Sequence, residues 1–293
     1  MKMLKSFHPY AMITIVFWSL AYVLTRLALH HFSASSLGFL RYGVASLILL
    51  LVCFIKKVPF PQMRDIPWFI ASGITGFFLY MITFNIGTGY VTAATSSVII
   101  ASVPIITALL ANILLREKLK IYQWIAIAVE SMGILVLTMY GAVFTTNMGA
   151  LWLLLAALLL SCYNLLQRKL TRTYTALQST TYSIFCGTIL LTVFLPQSLS
   201  ELVSAPPVQI GYILLLGIFS SAIAYIAWSK ALEKAEQTSM VSNYMFFTPF
   251  ITGVLGFALV SEIPDPSTWI GGAFIILGAL LFNRNTVTVK EKR

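Results

Sequence analysis

Residues 103–137 read VPIITALLANILLREKLKIYQWIAIAVESMGILVL, and residues 248–282 read TPFITGVLGFALVSEIPDPSTWIGGAFIILGALLF. Aligned without a gap, the stretches share a proline (Pro104, Pro249), a threonine (Thr107, Thr252), a glutamate (Glu117, Glu262), a tryptophan (Trp124, Trp269) and a glycine (Gly133, Gly278). The offset is about 145 residues in a chain of 293, so one apolar unit is written twice in tandem. Two repeats enclosing one site is a recurrent plan of membrane carriers.

Outward from this pair, the rest of the chain is equally apolar. Hydrophobic residues make up 59% of it and charged residues 10%, against roughly 45–50% and 25% in soluble domains. So few charges cannot cover a soluble globule of this size. Apolar runs of about 20 residues, the length of a helical span, fall at 9–29, 33–55, 67–87, 92–115, 121–141, 148–167, 176–196, 208–232, 238–260 and 267–283. The longest breaks, near 56–66 and 196–207, carry prolines, and no soluble domain fits between the runs. The expected fold is all-α, with ten transmembrane helices. Residues 1–145 are read as one five-helix repeat and residues 146–293 as the second.

The net charge of +10 does not mark a nucleic-acid partner. With the N-terminus inside, the basic residues of the loops (Lys56, Lys57, Arg64; Arg116, Lys118, Lys120; Arg168, Lys169, Arg172; Lys230, Lys234) and of both termini fall on the cytoplasmic side. Arg26, Glu201, Glu262 and Asp265 fall on the other. This is the positive-inside rule, and it places both termini in the cytoplasm. Five spans per half is an odd number, so the second copy enters from the opposite face and the repeats are inverted. The three cysteines, Cys53, Cys162 and Cys186, lie within spans and read as small packing residues. The first run lacks a small-residue cleavage site and reads as an uncleaved helix.

These motifs resemble those of the ten-helix, EamA-type branch of the drug/metabolite transporter superfamily, over essentially the whole chain. Relatives show a proline, a glutamate ending the fourth span, then Gln/Trp and a late glycine in the fifth. Here these are Pro104, Glu117, Gln123–Trp124 and Gly133, with Pro249, Glu262, Trp269 and Gly278 in the second copy. Phe17–Val23 in the first span, the stretch around Arg41 in the second, and that around Tyr225 and Trp228 in the eighth are also similar. Relatives often carry a polar or acidic residue before the proline, whereas here Val103 and Thr248 stand there. A cationic substrate is therefore not supported from that position. The resemblance implies a secondary-type transporter that moves a small organic solute, such as an amino acid or other metabolite, usually outwards. It also implies alternating access, in the plasma (inner) membrane of a bacterium.

Individual residues then acquire roles. Pro104 and Pro249 sit mid-span and deprive the carbonyls of Ile100 and Met245 of their partners. They are expected to kink the helices as hinges beside the site, or to be packing kinks satisfied by hydroxyls such as Ser97 or Ser242. Glu117 and Glu262 lie at span ends and read as interfacial scaffold. Glu130 is the acidic residue deep in a span, and Arg41 the basic one. Unpaired charge is expensive there, and their depths differ by only roughly 4–5 Å at about 1.5 Å per residue. Geometry allows an ion pair between the second and fifth helices, and the two residues are read either as a fixed tie or as a charge that binds substrate or takes up a proton. Trp18, Tyr22, Tyr80, Asn85, Tyr163, Asn164, Tyr225, Trp228, Asn243 and Tyr244 are the candidates to line the cavity, since rings with polar tips hold a small organic molecule by stacking and hydrogen bonding.

Other classes lack the residues they need. The three histidines, His8, His30 and His31, lie at membrane edges without a ligand cluster, so no metal site is expected. No nucleophile–base pair stands out, so no catalytic residue is assigned and the chain is not read as an enzyme. No cofactor is expected, a proton gradient being the candidate energy source. The partners expected are a small-molecule substrate and the bilayer. Alternatives within the membrane are a lipid or glycolipid flippase and an uncoupled facilitator or importer.

Overall fold

A computed structural model describes residues 6–114, 116, 119–140, 148–261 and 266–283. Among the described residues the chain forms helical rods and no strand. In chain order these are α1 (His8–Ala28), α2 (Ala34–Lys56), α3 (Met63–Tyr90), α4 (Ala93–Leu114), α5 (Ile121–Tyr140), α6 (Met148–Leu170), α7 (Ala176–Val203), α8 (Pro207–Lys234), α9 (Thr238–Val260) and α10 (Pro266–Asn283). Among the described residues, eight of them (α1–α4 and α6–α9) have the length and apolarity of a span, so the chain is a polytopic helical membrane protein. α5 and α10 are 20 and 18 residues long and lie against each other. Glu117, Glu262 and the junction at 145/146 lie outside the described residues.

The observed helices follow the expected runs closely, with two extensions. α3 begins at Met63 and α7 continues to Val203, taking in much of the two proline-bearing breaks. Pro67 and Pro196 sit in the first turn of a helical segment, where a missing N–H removes no intrahelical bond. Helix starts are set by local polar chemistry. Ser33 and Thr92 accept hydrogen bonds from the backbone N–H groups of Ser36 and Thr95 at 3.3 and 3.1 Å, and Thr175 forms a capping box with Gln178.

The prolines do interrupt their helices, at matching places. α4 is α-helical over Ala93–Ile100 and Val103–Leu114, with a turn at 101–102. α9 is α-helical over Thr238–Ser242 and Thr248–Val260, with a 3-10 segment, Asn243–Phe247, between them. The carbonyl of Met245 is not orphaned: the tightened turn gives it the N–H of Thr248. Nor do Ser97 and Ser242 serve the breaks, because each bonds a carbonyl of its own helix, Ala94 at 2.7 Å and Thr238 at 3.2 Å. Hydroxyls of other helices reach the residue beside each proline instead. Ser161 on α6, which bonds the Ala157 carbonyl of its own helix at 2.7 Å, also reaches that of Val103 at 3.2 Å, and Ser19 on α1 donates to that of Thr248 at 3.4 Å. Val103 and Thr248 immediately precede the two prolines of the duplicated phrase.

A second matched pair of irregularities lies in α3 and α8. Both contain a π-helical segment, Ile74–Phe78 and Leu216–Ile223. A glycine accompanies each one. A Cβ on Gly73 would lie 2.9 Å from the carbonyl oxygen of Ser183 on α7, and a Cβ on Gly217 would lie 2.9 Å from that of Arg41 on α2. Close approach of backbones, rather than turn geometry, requires glycine here. The helix ends are tied in pairs as well. Arg26, near the end of α1, donates to the carbonyl of Val91 at 2.6 Å. Arg168, near the end of α6, donates to the carbonyls of Leu232 and Glu236, the latter at 2.6 Å.

Substituting Gly73 or Gly217 with alanine is expected to destabilise the protein by about 1–3 kcal/mol, since the neighbouring atoms include rigid backbone. Gly43 and Gly211 have nothing within 4 Å of a Cβ, so alanine there is expected to hold or raise the melting temperature in detergent, since it also removes the helix penalty of glycine. Equal behaviour of the two pairs in thermal unfolding would contradict the close-packing account.

Candidate functional site

Three of the four interrupted helices, α3, α8 and α9, meet at one place. α1, α2, α3, α8 and α9 surround a cavity of about 20 Å³, room for about one water molecule. α1 supplies Trp18, Ala21 and Tyr22, and α3 supplies Tyr80 and Phe84. Arg41 of α2, Tyr225 of α8, and Met245 and Thr248 of α9 complete the wall.

The π segment of α8 builds much of this wall. A wider turn leaves carbonyls accessible to side chains, and that of Ser220 accepts two of them. Trp18 Nε1 donates to it at 3.2 Å and an Arg41 terminal nitrogen at 3.4 Å. Arg41 Nε also donates to Ser221 Oγ at 2.6 Å, and its other terminal nitrogen faces Met81 Sδ at 3.9 Å. Ser220 Oγ in turn donates to the carbonyl of Phe17 at 2.9 Å, which locks α1 to α8. The rings interlock: Tyr22 meets Phe84 edge-on at 5.3 Å, Tyr80 stacks on Phe84 at 5.6 Å, and Trp18 meets Tyr225 at 5.0 Å. Tyr42 Oη donates to Tyr225 Oη at 3.3 Å, fixing that ring from behind.

The structure thus brings Trp18, Tyr22, Tyr80 and Tyr225 together at the cavity, as read from the sequence. Asn164 and Trp228 lie one layer further in. Trp228 is fully buried and its Nε1 donates to Asn164 Oδ1 at 2.8 Å, while Asn164 Nδ2 donates to Thr107 Oγ1 at 3.3 Å. The Trp228 ring backs Trp18 at 5.0 Å. Tyr163 is buried against Phe77 at the π segment of α3, with its ring where a side chain at Gly76 would stand. Asn85 donates to the carbonyl of Ala34 at 2.8 Å, tying α3 to the start of α2. Asn243 is buried in the 3-10 segment of α9. Tyr244 packs at the start of α1, hydrogen-bonded to His8 and edge-on to Phe7.

The ion pair that similar depth allows between Arg41 and Glu130 is not formed. α5 packs along α10, whereas α2 packs along α7 and α8. Arg41 therefore turns into the cavity wall. Glu130 is buried against Gly278 of α10, filling the place that a Cβ there would take, and neither carboxyl oxygen has a hydrogen-bond partner. Ala21, Phe84, Met245 and Thr248 were not foreseen in the wall. Only Thr248 carries a sequence signal, since it precedes Pro249. Among the described residues there is no group of His, Cys, Asp and Glu that could hold a metal.

Comparison with known proteins agrees with this architecture. A solved crystal structure superimposes with a TM-score of 0.71 at 16% identity, covering 97% of this chain and 98% of the other, which shows the fold. A probable terminal-alkyne amino-acid exporter of Streptantibioticus cattleyicolor is 30% identical over 275 residues, 94% of this chain and 92% of that protein. An S-adenosylmethionine uptake transporter of Rickettsia bellii is 26% identical, covering 89% of this chain and 85% of its own length. The model of the EamA-like transporter family matches twice, over residues 6–139 and 147–284. With two matches spanning nearly all of its length, the chain belongs to the EamA-like transporter family.

Proposed function

We propose that this transporter moves a small organic solute, an amino acid or a metabolite of similar size, out of a bacterial cell by alternating access around the α1–α2–α3–α8–α9 cavity. The observation that carries this reading is the wall itself: five aromatic rings with Arg41 and Thr248 among them, bounded by a proline break and a π segment. Stacking surface with a few polar contacts suits a small organic molecule. At about 20 Å³ the cavity is far below the roughly 300–1,000 Å³ of a ligand site. Loading therefore requires the surrounding helices to separate, and the interrupted helices are the natural places to bend. The inverted-repeat reading places the two prolines at related positions, both termini in the cytoplasm and the protein in the plasma membrane. The amino-acid exporter relative supports the solute class and direction, although an uptake transporter is also similar over most of the chain.

Reconstitution tests this. Proteoliposomes are expected to carry at least one member of a panel of radiolabelled amino acids, amines and nucleobases, with flux raised by a pH gradient if export is proton-driven. Failure of every small solute alongside movement of a labelled lipid would overturn the reading in favour of a flippase. Unchanged pH dependence in Glu130→Gln would remove Glu130 from any coupling role. Trp228 lies behind the wall, so Trp228→Phe is expected to act on stability first. It strands Asn164 Oδ1, at about 1–3 kcal/mol, visible as a lowered melting temperature in micelles. The KM for a transported solute is expected to stay within about threefold, because the ring contact with Trp18 survives.

A further inference from the structure

The carrier reading leaves one thing at the cavity unexplained: a buried cation with no anion. Arg41 is 3% exposed, and none of the ion pairs among the described residues includes it. Its partners are a hydroxyl, a carbonyl and a thioether sulfur. These satisfy hydrogen-bonding geometry in part, but none carries the compensating charge that a guanidinium in an apolar setting requires. The guanidinium also has more N–H groups than these three partners use. Its carbon lies 5.7 Å from the Tyr42 ring centroid, and that ring face adds modest relief to that from the dipoles of these partners.

A second polar atom in the same wall is also unsatisfied. Thr248 is 2% exposed, lines the cavity, and its Oγ1 has no hydrogen-bond partner. Its backbone carbonyl is taken by Ser19, so the hydroxyl is a separate capacity. The remaining wall, Trp18, Tyr22, Tyr80, Phe84, Tyr225 and Met245, is aromatic or apolar. Among the described residues, no acidic side chain lines this cavity.

We propose that Arg41 and Thr248 form a carboxylate-selective subsite: the Arg41 guanidinium pairs with the carboxylate of the transported solute, and Thr248 gives its polar head a second hydrogen bond. The class of ligand is a small monocarboxylate or neutral amino acid with an apolar side chain. An ammonium group on the solute needs no acidic partner, since ring faces can receive it. The side chain packs among Phe84, Met245 and Trp18. This subsite rests on the carrier reading above and narrows it. A cationic solute without a carboxylate would meet Arg41 unscreened and be rejected by like charge.

The test uses the full chain in proteoliposomes and three probes of matched shape: L-leucine, isocaproate, which lacks the amine, and L-leucinamide, which lacks the carboxylate. Leucine and isocaproate are expected to be carried, with leucinamide at least about tenfold weaker as a competitor. Arg41→Gln is expected to weaken both carboxylates by about thirtyfold or more while changing leucinamide less than about threefold, erasing the discrimination. Should Arg41→Gln fail to fold, Arg41→Lys keeps the charge and loses the planar fork, with an expected weakening of about tenfold for the carboxylates alone. Thr248→Val is expected to weaken leucine by about three- to tenfold. An arginine that merely ties α2 to α8 would affect all three probes alike. The subsite is overturned by equal handling of leucine and leucinamide, by transport of amines or nucleobases but no carboxylate, or by wild-type discrimination in folded Arg41 variants. In each of those cases the carrier reading stands. Transport of no small solute removes the carrier reading, and the subsite with it.

Discussion

Inside hydrocarbon, a backbone group that leaves its helical ladder must find another partner within the protein. Much of this molecule's architecture follows from meeting that requirement at a few deliberate interruptions. The prolines break α4 and α9, and beside each break a serine of another helix, Ser161 or Ser19, reaches the carbonyl of the residue before the proline. The π segment of α8 exposes the Ser220 carbonyl, and Trp18 and Arg41 take it. Interruption and inter-helix contact therefore lie side by side: attachment points stand next to the gaps in the ladders. A bundle of uninterrupted helices would lack both the sites for bending and the anchors that hold the cavity wall.

The same economy explains why the site is where it is. Broken backbone is tolerated at membrane depth only where protein or a cavity meets it. Met245 lies within the break in α9 and Thr248 just after it, Tyr225 stands two residues past the π segment of α8, and all three line the cavity. Small residues do the rest. Gly73 and Gly217 let α3 and α8 approach their neighbours closely at the π segments, so that the interrupted stretches are gripped rather than loose.

Much of this was legible in the chain. Apolar runs gave the rods, and the duplicated phrase gave the breaks, because proline is an unambiguous signal for the loss of a hydrogen bond. Trp18, Tyr22, Tyr80 and Tyr225 were legible because a ring with a polar tip is conspicuous in an apolar run. What stayed hidden depends on rotation about helix axes. A π turn adds about one residue, which swings everything beyond it by about 100°, and no residue type marks it. Trp228, beyond the π segment of α8, sits one layer behind, and Phe84, beyond that of α3, faces the cavity. Among the described residues, Asn164 on α6 and Met245 on α9 have no π segment before them, and helix packing alone decides that the first lies behind and the second in the wall. The supposed partnership of Arg41 and Glu130 failed for a related reason. Similar depth brings two charges level, but only helix packing makes them neighbours, and α5 lies with α10.

The arginines at the ends of α1 and α6 tie their helices to the carbonyls of Val91, Leu232 and Glu236. Every amino acid carries that carbonyl, so replacing the residue on the receiving side leaves the acceptor in place. Such a tie is coded by one side chain alone. Over evolutionary time the loops after α3 and α8 can change their composition, and hence their charge and surface, while the clasp persists. Comparison of co-varying positions would pass over it, since only one of the two partners is under constraint.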